Sequence, residues 1–226
     1  TEPDIVQIVP DREVTAAAAS ALLTVTTGTA DYGEVTGANL VHADANGVTG
    51  AGVTIAIVDT GLQENLPGLA RNTTGDIRIK DAWFDAIDIA NNNPVDPNGH
   101  GTHVAGIAVS SLQDDDNRYD GIAPDADLVG VRVLDETGMG TYTSVIAGLD
   151  WVLANKDTVG IDVVNLSLVA TAQSPYWADP LNQAVMRLWE AGLVVVAAAG
   201  NSGPQSMTIT VPGNVPYVIT VGAMSD

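Results

Sequence analysis

Asp59 and His100 are the two side chains whose types and surroundings could carry out acid–base chemistry together. Asp59 closes the apolar run Val53-Thr54-Ile55-Ala56-Ile57-Val58 and is followed by Thr60-Gly61. His100 follows Asn98-Gly99 and opens the segment Gly101-Thr102-His103-Val104-Ala105-Gly106. A carboxylate at a strand end can orient an imidazole, and an imidazole so held can deprotonate a hydroxyl. The order Asp, His, then Ser separates one triad lineage from the two other well-known orders. Asn201 is the third candidate. Alone, Asn201-Ser202-Gly203 reads as a surface turn. It follows the apolar stretch Val194-Val195-Val196-Ala197-Ala198-Ala199-Gly200, however, and so stands at a strand end, where an amide could serve as a hydrogen-bond donor to a developing oxyanion.

Other readings of these residues are weaker. A hydrophobic pair followed by Asp-Thr-Gly is also the mark of aspartic proteases, in which two such carboxylates share a proton. Only one copy occurs here, so that mechanism would need a homodimer and a β-rich fold, against the helical pattern around His100. His100 and His103 are three apart and could share a metal, but zinc needs a further ligand. The remaining histidine, His42, is remote in sequence, and the chain has no cysteine. An acid–base role for His100 is therefore preferred to metal binding. The Thr60 hydroxyl and nearby backbone N–H groups are expected to hold the Asp59 carboxylate.

These residues need elements to position them. The continuous apolar run 53–58 reads as a strand buried on both faces, and 128–133, 163–168, 194–199 and 218–221 read as further strands, at least five in all. Helical spacing occupies 100–111, 141–154 and 180–191, the last with Pro180 at its start and Gly192 at its end. Strands alternating with helices imply an α/β architecture with right-handed crossovers and helices on both faces of a mainly parallel sheet. Ligands bind such sheets outside the carboxyl ends of the strands, where Asp59, Ser167 and Asn201 fall. Residues 1–36, with an Ala-rich stretch (Ala16 to Ala19, then Ala21-Leu22-Leu23) and a Thr/Gly-rich run, show no evident partner element. There is no internal repeat and no sign of a second globular domain.

Composition narrows the partners. The 226 residues are 46% hydrophobic and only 16% charged, enough for one α/β core. With 28 acidic against 8 basic residues and a formal charge of −20, the chain would repel nucleic acid. Without cysteine there is neither a disulfide framework nor a thiolate nucleophile. No run approaches the roughly 20 apolar residues of a membrane span.

The segments around Asp59 and His100, continued through Ser167 and Ala197-Ala198-Ala199-Gly200-Asn201, resemble the subtilisin-like serine proteases, or subtilases. The resemblance implies a three-layer fold, with 37–226 as the N-terminal two thirds of a C-terminally truncated catalytic domain. Residues 1–36 would be a propeptide remnant or N-terminal extension. It implies a secreted endopeptidase with Asp59, His100 and Asn201 in catalytic roles, His100 as the general acid/base and the Asn201 amide as an oxyanion donor, with His103 packing structurally. The family's nucleophile lies in a Gly-Thr-Ser-Met-Ala segment that does not occur here, and Ser202, Ser206 and Ser225 lack its setting. The fragment itself is therefore expected to be inactive; a non-catalytic binding or scaffold module is the alternative.

By the same resemblance, Gly138-Met139-Gly140 and Ser167-Leu168-Val169 flank a peptide substrate bound as an added strand. Val169 and Ala170 stand where the family commonly has glycines, which alters the groove. Ala198-Ala199-Gly200 would form one wall of the primary specificity pocket and Thr210 its base, beside a cis Val211–Pro212 bond. No cofactor is implied for the chemistry. Structural calcium is implied at an acidic loop, here Asp114-Asp115-Asp116-Asn117 with Asp120, although Gly68 stands where the family has a carboxylate ligand. Asp76, Asp81, Asp85, Asp88 and Asp96 offer other carboxylates. The implied partners are a polypeptide substrate and a propeptide inhibitor.

Overall fold

The computed structural model describes residues 9–17, 32–44, 47–93 and 95–223. Six strands form one parallel sheet: β2 (Thr54–Asp59), β3 (Phe84–Asp85), β4 (Asp127–Arg132), β6 (Val163–Leu166), β8 (Val194–Ala198) and β9 (Ile219–Val221). Their spatial order is β3-β4-β2-β6-β8-β9, so β2 and β6 lie at the centre. Side chains on β2 alternate between the two faces, as a strand's period of two requires. Ala56 and Val58 join the larger core on one face, and Ile57 joins a smaller core on the other.

The two layers of helices follow from that alternation. Helix α3 (His100–Val109) buries Ala105 and Val109 against Ile57, Leu62, Leu69 and Leu128. On the opposite face, α4 (Tyr142–Val159) and α5 (Pro180–Glu190) bury Val145, Leu149, Val152, Leu181, Val185 and Leu188 with Val129, Val131 and Val164. Thr141 caps α4 through a reciprocal capping box with Ser144. This helix runs five residues past the expected end at 154. The polar stretch after it contains no helix breaker before Gly160, which closes the helix in the left-handed conformation (φ 80°). Helix α5 starts at Pro180, where the missing N–H costs nothing, and Asp179 caps it through the N–H groups of Leu181 and Asn182.

Two expectations need correction. The run 163–168 is not one strand. The chain leaves the parallel sheet after Leu166, and β7 (Leu168–Val169) belongs to a second, three-stranded sheet. The N-terminal leader is not without a partner either. Residues Glu13–Ala16 form β1, antiparallel both to β5 (Met139–Thr141) and to β7. The pairs Val14↔Gly140 and Thr15↔Met139 lie on one side, and Thr15↔Val169 and Ala16↔Leu168 on the other. Four residues are too few to announce a strand by periodicity; its stability comes from being hydrogen-bonded along both edges. The Ala-rich stretch continues outside the described residues. Helices α1 (Tyr32–Val35) and α2 (Ala38–Ala43) lead into the body.

Candidate active site

Asp59 is the last residue of β2, one position earlier in the structure than a residue following the strand, and its side chain is fully buried. His100 is the first residue of α3, and its Nδ1 lies 2.7 Å from Asp59 Oδ1. The same carboxylate oxygen accepts the backbone N–H of Thr60 at 2.7 Å. Gly101 makes the approach of helix to strand possible: a Cβ there would overlap the Gly61 carbonyl oxygen and crowd Asp59.

Asp96 is a residue of the site that sequence reasoning passed over as one of several candidate metal ligands. It is almost wholly buried and acts as a polar anchor for the start of α3. Its Oδ1 accepts from Gly99 N and Thr60 Oγ1, and its Oδ2 from Thr102 N and Thr102 Oγ1, all within 2.8 Å. Burial alone would raise its pKa, but these four hydrogen bonds outweigh burial and hold it below the ordinary value. The Thr60 hydroxyl thus braces Asp96, not Asp59 as expected. It also accepts the N–H of Gly101 at 2.9 Å, so Asp96, Thr60 and Gly101 tie the helix to the strand. An Asp a few residues before a Gly-initiated helix, with a Thr in the first turn, was the available signal.

The His100 imidazole is pushed above its ordinary pKa of 6.5, first by its hydrogen bond to Asp59. Desolvation opposes the shift; the Asp59 charge, a backbone hydrogen bond to Ala17 and the more distant Asp96 reinforce it. Ala17 follows β1 directly. Its N–H donates to Ser167 O at 2.8 Å, and Ala16 N–H donates to Gly138 O at 3.0 Å. The leader strand therefore lies between Gly138-Met139-Gly140 and Ser167-Leu168-Val169.

Of the other expected residues, Ala198 closes β8, while Ala199, Gly200 and Asn201 follow it at the carboxyl edge of the sheet. Thr210 donates its N–H at 3.0 Å and its hydroxyl at 3.2 Å to the Ala199 carbonyl. Its side chain fills the space beside Gly200, whose φ of 107° suits glycine. The neighbouring Val211–Pro212 bond is cis. Asn201 is exposed in the loop after β8.

The metal readings find little support. His103 is exposed, contrary to a packing role, and among the described residues no three acidic or histidine groups gather to hold a metal ion. The acidic loop after α3 is closed on itself: Asp114 accepts from the N–H groups of Asp116 and Arg118 and from Arg118 Nε, and Asp116 pairs with Arg118. A side chain at Gly68 would press on Ser110 and Leu112, so the carboxylate implied there has no room. A parallel sheet flanked by helices is likewise not the β-rich fold that a shared-proton Asp pair would require.

This arrangement can orient an imidazole through a buried carboxylate, and β1 lies paired between β5 and β7 in the three-stranded sheet. The Subtilase family model matches residues 50–226. The chain belongs to the subtilase family. It is 41% identical over 198 residues to the serine protease AprX of Bacillus subtilis (strain 168), covering 85% of this chain and 43% of that protein. It is 38% identical over 181 residues to the minor extracellular protease Vpr of the same organism, covering 78% of this chain and 21% of Vpr. The crystal structure of a cold adapted subtilisin-like serine proteinase superposes with a TM-score of 0.63 at 34% identity, covering 80% of this chain and 58% of that one. The chain thus spans less than two thirds of each of these subtilases.

Proposed function

We propose that the complete protein is an extracellular serine endopeptidase of the subtilisin type. Asp59 orients His100 through Nδ1, and the other ring nitrogen removes the proton of a serine hydroxyl as it attacks a peptide carbonyl. The Asn201 amide donates to the oxyanion that develops on the carbonyl oxygen. Collapse of the tetrahedral adduct breaks the C–N bond, His100 passes its proton to the departing amine, and water, activated by the same base, releases the acyl group. The serine is not among these 226 residues, which contain no Gly-Thr-Ser-Met-Ala segment. The activity is that of a chain which supplies it. No cofactor takes part.

The observation that carries this reading is the leader strand, which runs between two groove strands, with Ala17 N–H donating to Ser167 O at their end and the Ala17 backbone near enough to raise the His100 pKa. In this reading Glu13–Ala17 occupies the groove as a substrate would, the Ala17 carbonyl is the one attacked, and the leader blocks the site until it is released. Val169 and Thr210 take space that glycines would leave, so small and medium apolar residues are preferred before the cleaved bond. A methylene in such a pocket is worth roughly 1–3 kcal/mol.

The purified full-length protein tests it. We expect hydrolysis of an unstructured polypeptide, labelling of one serine by a fluorophosphonate, and a mature N-terminus at Ala18. Absence of both hydrolysis and labelling after the leader has been removed would leave the non-catalytic binding module as the reading.

A further inference from the structure

The leader carries one cation into the groove wall. Arg12, just before β1, donates from a terminal guanidinium nitrogen to Asp179 Oδ2 at 3.0 Å. Its guanidinium carbon stands 5.4 Å from the centre of the Tyr142 ring. Asp179 is fully buried and Tyr142 nearly so. The two Asp179 oxygens have separate duties. Oδ1 caps α5, while Oδ2 faces Arg12 and accepts the Tyr142 hydroxyl at 3.0 Å. Burial, and then the Asp179 charge, push the Tyr142 phenol up to about 12, so it stays a donor. The Arg12 carbonyl accepts Tyr142 N–H at 2.8 Å, which fixes the strand in register over the pocket.

We propose that Tyr142 and Asp179 form an arginine-accepting subsite that reads the side chain five residues upstream of the residue whose carbonyl is attacked. This rests on the leader being a substrate-like occupant of the groove. Asp179 would be needed as a helix cap in any case, but a cap needs only one carboxylate oxygen and no aromatic face. The second oxygen, beside an aromatic ring at the end of the β1 track, matches a planar guanidinium, which can donate to the carboxylate and stack on the ring. A buried carboxylate left without its cation is costly, so the site discriminates against neutral residues at this position. Polypeptides with arginine there are the favoured substrates, and the same contact anchors the leader.

The test uses the full-length protein freed of its leader and three competing peptides spanning residues 9–17: the native sequence, R12K and R12A. We expect the native peptide to inhibit competitively, R12A to bind about 10–100-fold more weakly, and R12K to fall between them. Asp179→Asn keeps a good cap and should shrink the native-to-R12A ratio to within about threefold. Because the ratio is taken within one protein, a general loss of affinity cancels. Equal affinity of the native and R12A peptides, or a ratio unchanged in Asp179→Asn, overturns the subsite. If none of the peptides competes with substrate, the groove reading itself fails, and this inference fails with it.

Discussion

The pH behaviour of the site is set by His100. In the proposed mechanism it must be neutral to accept a proton, and its pKa lies above 6.5 chiefly because of Asp59. The acid limb of kcat/KM should therefore fall above that value in wild type. Asp59→Asn should move the limb downward while lowering kcat by about 10⁴. A limb unmoved by that substitution would detach Asp59 from His100. For stability the sign is opposite: the imidazolium–carboxylate pair contributes fully below the unfolded pKa and is lost as pH rises through the folded one. At the pocket, Thr210→Gly should shift preference toward Phe over Leu before the cleaved bond, read as a ratio of kcat/KM. An unchanged ratio means that Thr210 does not limit the pocket. The residues that touch through special types were legible: Asp59 and His100 announced themselves by position and company. Asp96 and Asp179 did not, because an Asp in a loop looks the same whether it is solvated or satisfied by four donors.

At the scale of elements, the molecule depends on α3 being held at both ends. Asp96 holds its start. Arg78 holds its end, fully buried and donating to the carbonyls of Val109, Arg71 and Pro124. Burial pushes its guanidinium down, partly offset by Asp125 and Asp127. Arg78→Met would leave these carbonyls unpaired and should cost about 2–4 kcal/mol, measured by denaturant unfolding. A loss under about 0.5 kcal/mol would show that the carbonyls find other partners. Five of the six parallel strands and the three main helices were readable from apolar runs, because the central strands are buried on both faces and have little polar alternation to blur them. Other features were not. The two residues of β3 are too few to form a pattern. Ser167 divides β6 from β7 with no change in hydrophobicity, since both halves are buried. β1 owes its existence to neighbours more than 120 residues away in sequence, such as Thr141 opposite Glu13, and no local pattern carries that.

For the whole molecule, charge is the governing quantity. A formal charge of −20 repels itself across a compact surface. Ion pairs buried between elements, such as Arg132 with Asp85, are screened far less than the surface. Raising NaCl from about 0.01 M, where the Debye length is about 30 Å, to about 1 M, where it is about 3 Å, should therefore raise the thermal midpoint. A lower midpoint would place the stabilising electrostatics at the surface. In the proposed reading the leader gives the molecule its functional logic, because one fold would hold both a peptide-binding groove and the strand that fills it. The most direct test of the account is turnover of a peptide substrate by the full-length protein, freed of its leader, with and without His100→Ala. The account predicts a fall of several powers of ten in kcat with KM little changed. Retention of more than about a tenth of wild-type turnover, where triad loss normally costs powers of ten, would contradict it.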